Sequence, residues 1–176
     1  MMFTEIMLWA FLILPWTTLF FMRRETLKRY MPVAILAALI VTIVFEAAYA
    51  LHWWTMLESI VPWGFITNVS FAYGLFVAGT LWIYAFTFGK LWLYLLTNAA
   101  IDALQAFVFH EWFEGWIYRL DRLNEWQVFL LMIGTSVVLY MYQLWQDGIM
   151  LGGGRSNQEE WEFRPMSAMT AKEKGR

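Results

Sequence analysis

Cysteine is missing from all 176 residues, which excludes disulfides, iron–sulfur clusters and thiolate metal sites. Charge is scarce as well. Only 15% of the chain is Asp, Glu, Lys or Arg, against about 25% in a soluble domain. Phosphate-binding loops are absent too, because the one glycine run, GGG at 152–154, follows an apolar segment instead of opening a helix. No serine sits in a nucleophile elbow, and no basic stripe suggests nucleic acid as a partner.

What fills the space is apolar. Hydrophobic residues make up 61% of the chain, and a membrane-spanning helix needs about 20 mostly apolar residues. Five such runs succeed one another, at 6–22, 32–54, 65–88, 91–109 and 128–145. The second carries Glu46 and His52, the fourth carries Asp102, and the other three are uncharged. The composition therefore predicts an all-α, polytopic bundle of five transmembrane helices over 1–147. A flexible tail follows at 148–176. The first run is read as a retained helix, since MMFTE is acidic and no A-x-A-like cleavage site follows it.

Lys and Arg favour cytoplasmic loops. Arg23, Arg24, Lys28, Arg29, Lys90 and the five basic residues of the tail fall on one side, ten in all, against Arg119 and Arg122 on the other. That asymmetry predicts an external N-terminus and a cytoplasmic C-terminus, in a multi-pass protein of the cell membrane. The basic link is equally suited to anionic lipid headgroups. Residues 110–127 alternate rings with charges, as a short amphipathic helix at the outer interface does. Ser70, Gly74 and Ala78, spaced by four, predict a seam where another backbone approaches closely. Pro15 removes a donor from the first helix and predicts a kink.

Polar groups in hydrocarbon are costly, about 2.5–3.5 kcal/mol for Asp near a helix centre. Asn98, Asp102 and Gln105 fall within about 60° of one another on the fourth helix, with Phe109 continuing the stripe. Thr42, Glu46, Tyr49 and Trp53 share a face of the second. At about 1.5 Å per residue, Glu46 lies about 21 Å, and Asp102 about 16 Å, from the inner ends of their helices. The two acids are therefore expected to meet, as a proton-sharing pair, as a cation or ligand site, or as a hydrogen-bonded core fixing helix register.

A second group lies at the outer ends: His52, His110, Glu111 and Glu114. His110 and Glu114 form an i, i+4 pair that a regular helix turns away from the Asp102 stripe. Imidazole with carboxylate offers ligands for a divalent metal, and two facing histidines offer a haem site. Headgroup-level polarity explains the same residues without either, and no cofactor is expected.

Three resemblances follow from these motifs. Five spans and 12 tryptophans are similar to the architecture of the tryptophan-rich sensory/translocator proteins, which bind porphyrins and sterols, although their Trp-Pro motifs are absent. HEWFEGW resembles the H-x-x-x-E-G-W pattern of the sterol-isomerase membrane family, and implies His110 and Glu114 as acid/base groups. RRETLKRYMP and the FGK turn, together with the aromatic outer segment, resemble a group of small multi-helix membrane proteins from spore-forming Gram-positive bacteria. That likeness spans about residues 20–145 and implies a bacterial inner-membrane location with no established activity. The favoured reading is a non-enzymatic component that binds or conducts a small ligand, proton or cation through Glu46, Tyr49, Asn98, Asp102 and Gln105. The alternatives are an enzyme acting on a lipid or isoprenoid through His110, Glu111 and Glu114, or an assembly subunit. The last would pair with itself or another membrane protein, and its tail (EEWEFRP) would dock a cytoplasmic partner.

Overall fold

A computed structural model describes residues 2–162. The structure is mostly helical (77%), and among the described residues five helices are long and apolar enough to cross a membrane. Helix α1 is Met2–Thr18, α2 Arg24–Leu51, α3 Phe76–Thr87, α4 Leu91–Ala103, α5 His110–Phe113 and α6 Glu125–Glu162. Two π-helical turns, Ser70–Leu75 and Leu104–Phe109, run directly into α3 and out of α4. A 3-10 turn at Leu19–Phe21 follows α1, and two short strands, β1 (Trp54–Met56) and β2 (Tyr118–Leu120), complete the regular elements of the described residues. Packing divides the chain into two units, Met1–Tyr140 and Met141–Arg176.

Local chemistry sets several boundaries. The third apolar run begins its helix five residues later than hydropathy predicts, because Asn68 caps it. The Asn68 Oδ1 accepts from the backbone N–H groups of Ser70 and Phe71 at 3.1 and 3.2 Å. Helix α6 starts three residues early for the same kind of reason. Asn124 and Gln127 exchange reciprocal side-chain to backbone hydrogen bonds at 3.0 Å, a capping box that satisfies two otherwise orphaned donors. Gly89 takes φ +91° in the turn between α3 and α4, a conformation open to glycine.

In the first unit, α1 crosses the π-helical turn before α3 where the small-residue spacing predicts. Ser70, Gly74 and Ala78 are all buried. A Cβ placed on Gly74 would lie 2.3 Å from the Phe11 carbonyl oxygen and 2.8 Å from the Leu12 Cα. Pro15 explains why that carbonyl is available, since its missing N–H is the donor that Phe11 would otherwise use. Two hydrogen bonds pin α1 just C-terminal to the crossing. Trp16 donates its indole N–H to the Tyr73 carbonyl, and Trp82 donates to the Thr18 hydroxyl, both at 2.8 Å.

The segment at 110–127 differs from the expected amphipathic helix. Only His110–Phe113 and the first three residues of α6 are helical, and Tyr118–Leu120 pairs antiparallel with Trp54–Met56, in register Trp54 to Leu120 and Met56 to Tyr118. Gly115 turns the chain at φ +78°. The alternation of ring and charge in this stretch suits a strand as well as an interfacial helix, and the link after α2 supplies the partner that hydropathy does not show. The strand pair is tied at its solvent side. Thr55 donates to the Asp121 carboxylate, which also accepts from Arg119 Nε at 3.1 Å. These contacts hold the Asp121 carboxyl below the usual range, the Thr55 hydrogen bond being the larger cause.

In the second unit, the Gln143 side-chain amide donates to the Asp147 carboxylate at 2.9 Å, one turn on. The backbone stays helical to Glu162, where the sequence predicts a flexible tail from 148. No proline interrupts α6 before that point, although each glycine of 152–154 costs about 1 kcal/mol relative to alanine. The remainder of the tail, 163–176, lies outside the described residues.

Candidate functional site

A cavity of about 570 Å³ lies within the first unit. Each of its helices, both π-helical turns and both strands contribute to the lining. Most of the wall is aliphatic or aromatic, including Val41, Val44 and Phe45 from α2 and Leu131 and Met132 from α6. Polar groups are few and fall at two poles.

The first pole is on α4. Asn98, Asp102, Gln105 and Phe109 all line the cavity, so the stripe expected on this helix is assembled. Asn98 turns its amide back to the Tyr94 carbonyl at 2.8 Å. Asp102 is 7% exposed, and its Oδ2 is buried without a hydrogen-bond partner among the described residues. One turn beyond Asn98, the rings of Tyr84, Tyr94 and Tyr140 pack with centroids 5.1 and 4.8 Å apart. Tyr94 also donates its hydroxyl to the Ser136 carbonyl at 2.9 Å. These rings pack outside the cavity lining.

The second pole is at the strand pair. His110 is 5% exposed. Its Nδ1 lies 3.1 Å from the Tyr118 hydroxyl, and its Nε2 lies 3.1 Å from Glu114 and 3.5 Å from Glu125. His110, Tyr118 and Glu125 line the cavity together with Trp54. Burial, then the charges of Glu114 and Glu125, push the Tyr118 hydroxyl up to about 12, so the phenol keeps its proton across the physiological range. The Trp54 Nε1 is buried and, like Asp102 Oδ2, has no hydrogen-bond partner among the described residues.

The expected meeting of Glu46 with Asp102 does not occur. Glu46 and Tyr49 are exposed, and neither lines the cavity. Equal depth along two helices left rotation undetermined, and rotation of α2 is set by its tightest seam. Ala34, Ala37, Val41, Phe45 and Ala48 are buried at helical spacing, which turns Glu46 and Tyr49 outward. Thr42 instead bonds the Ala38 carbonyl at 2.7 Å and approaches the Tyr73 hydroxyl at 3.1 Å.

The histidines are likewise separate. His52 is exposed and does not line the cavity. It closes α2 in the left-handed region at φ 54°, where the N–H groups of His52 and Trp53 return to Tyr49 and Ala48. This is a Schellman cap. A glycine there gives up only the charge contact of His52 with Asp121, the last of the causes that lower the Asp121 carboxyl, and relieves about 1 kcal/mol of backbone strain. His52→Gly is therefore expected to leave thermal stability unchanged or slightly raised, and any loss in a detergent melting curve would count against a capping role. Glu111 is exposed and outside the cavity. Among the described residues, no group of three His, Asp or Glu side chains is arranged to hold a metal ion.

His110 does not turn away from Asp102, as a regular helix predicts. The intervening turn, Leu104–Phe109, is π-helical, with i→i+5 bonds that spread each circuit over more residues. Each step then rotates less than 100°, and the accumulated lag returns His110 to the Asp102 face. Such turns recur at functional sites, and here both of them wall one cavity. The chain is thus a mostly helical protein that has, among the described residues, five helices of membrane-spanning length and a cavity with two polar poles. No protein-family model, curated protein or solved structure matches the chain.

Proposed function

We propose that this is a multi-pass membrane protein, N-terminus outside and C-terminus cytoplasmic, that holds a small apolar molecule with a cationic head in its cavity. Asp102 is the counter-ion. The observation that carries this reading is Asp102, a buried carboxyl whose Oδ2 has no hydrogen-bond partner among the described residues, on a residue that lines a cavity of about 570 Å³. That volume falls in the range of small-molecule sites, roughly 300–1,000 Å³, whose walls are mostly apolar with a few placed polar groups.

The charge balance of the wall supports a cation. Asp102 and Glu125 line it, whereas no Lys or Arg does among the described residues. A carboxylate in low dielectric is costly unless paired, and a carboxylic acid there still needs an acceptor for its proton. An incoming ammonium group supplies charge and donors together. The Lys/Arg asymmetry supports the orientation.

The test is binding of n-octylamine to protein in lipid nanodiscs, measured calorimetrically against empty nanodiscs. Asp102→Asn is expected to weaken it about 10- to 100-fold, the worth of a hydrogen bond to a charged group. Glu46→Gln, on the outward face, should leave it unchanged. Equal affinity in wild type and Asp102→Asn would falsify the reading.

A further inference from the structure

Asp102 is not the only buried titratable side chain on the cavity wall. His110 is 5% exposed and lines the cavity as well, yet it has no part in holding a cation at Asp102.

The contacts of the imidazole suit it to take up a proton and to release it. Its Nε2 lies against two carboxylates, Glu114 at 3.1 Å and Glu125 at 3.5 Å. Ionised carboxylates only accept, so Nε2 holds a hydrogen whether the ring is neutral or charged. The change falls on Nδ1, 3.1 Å from the Tyr118 hydroxyl. A phenol can donate or accept. It gives its hydrogen to Nδ1 of the neutral ring and accepts one from Nδ1 of the imidazolium, by turning its O–H alone. Tyr118 does not ionise in exchange, because burial, then the charges of Glu114 and Glu125, push its hydroxyl up to about 12. Both states of His110 are satisfied with every heavy atom in place.

These partners come from three elements. Glu114 follows α5, Tyr118 is on β2, and Glu125 opens α6. Glu111, Arg119 and Arg122 are exposed and outside the lining, and Arg119 Nε is taken by Asp121 at 3.1 Å. Glu114 is also exposed and outside the lining, whereas Glu125 is in it. The buried ring therefore joins a carboxylate in water to one in the cavity wall.

A charge on His110 acts on whatever sits at Asp102. The two residues are eight apart along α4 and its π-helical turn. That is about 12 Å at the α-helical rise, and somewhat less through the turn. Two unit charges about 12 Å apart, at an effective dielectric of about 20, change each other's equilibria about 10-fold. For a cation at Asp102 the sign is repulsive. His110 is the one basic side chain in the lining among the described residues, so it alone can add positive charge to the wall.

We infer that proton and cation compete for this cavity although they sit on different residues. His110 takes a proton from water by way of Glu114 as an organic ammonium leaves Asp102, and gives it up as one enters. The inference rests on the cation-binding reading of Asp102 and adds what promotes the cation's release.

The experiment measures n-octylamine and n-octanol binding by calorimetry, on the full chain in phosphatidylcholine nanodiscs, at about pH 5.5 and about pH 8. An alkylammonium keeps its charge over this range, whereas an imidazole ordinarily changes its own within it. Asp102 adds a pH dependence of its own, so the comparison is with His110→Gln, which keeps an N–H donor for the glutamates. The n-octylamine affinity ratio, high pH over low, is expected to be about 10-fold larger in the wild type than in His110→Gln. Uncharged n-octanol should give the same ratio in both. Reciprocity supplies a second reading that leaves residue 110 intact. In His52→Gly, where His110 is the one remaining histidine, saturating n-octylamine at about pH 6.5 should move the imidazole ring-carbon NMR signal toward its neutral form. An unmoved signal overturns the coupling and leaves the Asp102 site standing. So does an equal ratio in a His110→Gln chain that still binds at high pH, or an n-octanol loss that parallels that of n-octylamine. Failure of n-octylamine to bind above empty nanodiscs at either pH overturns both.

Discussion

Replacing Asp102 by leucine is expected to make the protein harder to unfold while abolishing its capacity for an alkylammonium ion. The two effects have one cause. Asp102 is 7% exposed and its Oδ2 has no partner among the described residues, so the folded state carries a desolvated polar group without compensation. On insertion scales an aspartate at a helix centre is unfavourable by about 2.5–3.5 kcal/mol, whereas leucine is favourable by a few tenths. Replacing an unsatisfied polar group by an apolar one of similar size is often stabilising. A gain of about 1–3 kcal/mol is expected, read as a higher midpoint in an SDS titration of the protein in mixed micelles. Asp102→Asn should gain less, because the amide remains unpaired. The opposite sign would show that the carboxyl is a structural hydrogen-bonding group fixing helix register. Stability given up at one residue in the wall of a large cavity is the usual signature of a site kept for binding.

The residues that were legible in sequence are those whose signal is periodic along one helix. Hydropathy located five membrane-length helices, and the 100° step put Asn98, Asp102 and Gln105 on one side of α4, where all three line the cavity. The spacing of Ser70, Gly74 and Ala78 marked a close approach, and α1 makes it. Relations between helices were less legible. Glu46 shares a depth with Asp102, but depth says nothing about rotation, and the alanines of α2 turned it outward. Departures from regular geometry left no mark in hydropathy. The π-helical turn that brings His110 round carries no hydropathy signal, and the pairing of Trp54–Met56 with Tyr118–Leu120 joins partners distant in sequence. A sharper reading of turn chemistry would have found part of this. Asn68 and Asn124 are cap residues in plain view, and Gly115 marks the turn that ends the short α5.

Gly74→Val should produce the largest loss of stability at any single position of the bundle. A Cβ there would meet the Phe11 carbonyl oxygen at 2.3 Å and the Leu12 Cα at 2.8 Å. Both are backbone atoms, so no side-chain rotamer relieves the overlap and α1 itself must move. Its freedom to do so is small, because the Trp16 and Trp82 indoles tie the part of α1 that follows the crossing to the facing segment. Overpacking of this kind costs about 1–3 kcal/mol when side chains yield, and more is expected when a backbone must. Displacing α1 also disturbs the cavity, since Phe11 and Phe71 line it with ring centroids 5.8 Å apart. The variant should therefore lower both the SDS midpoint and the affinity for n-octylamine. Gly134→Ala is the control, because nothing lies within 4 Å of the added Cβ, and alanine in place of a mid-helix glycine gains about 0.5–1 kcal/mol. If the two substitutions shifted the midpoint alike, the close crossing of α1 over Gly74 would not be what holds the first helix against the bundle.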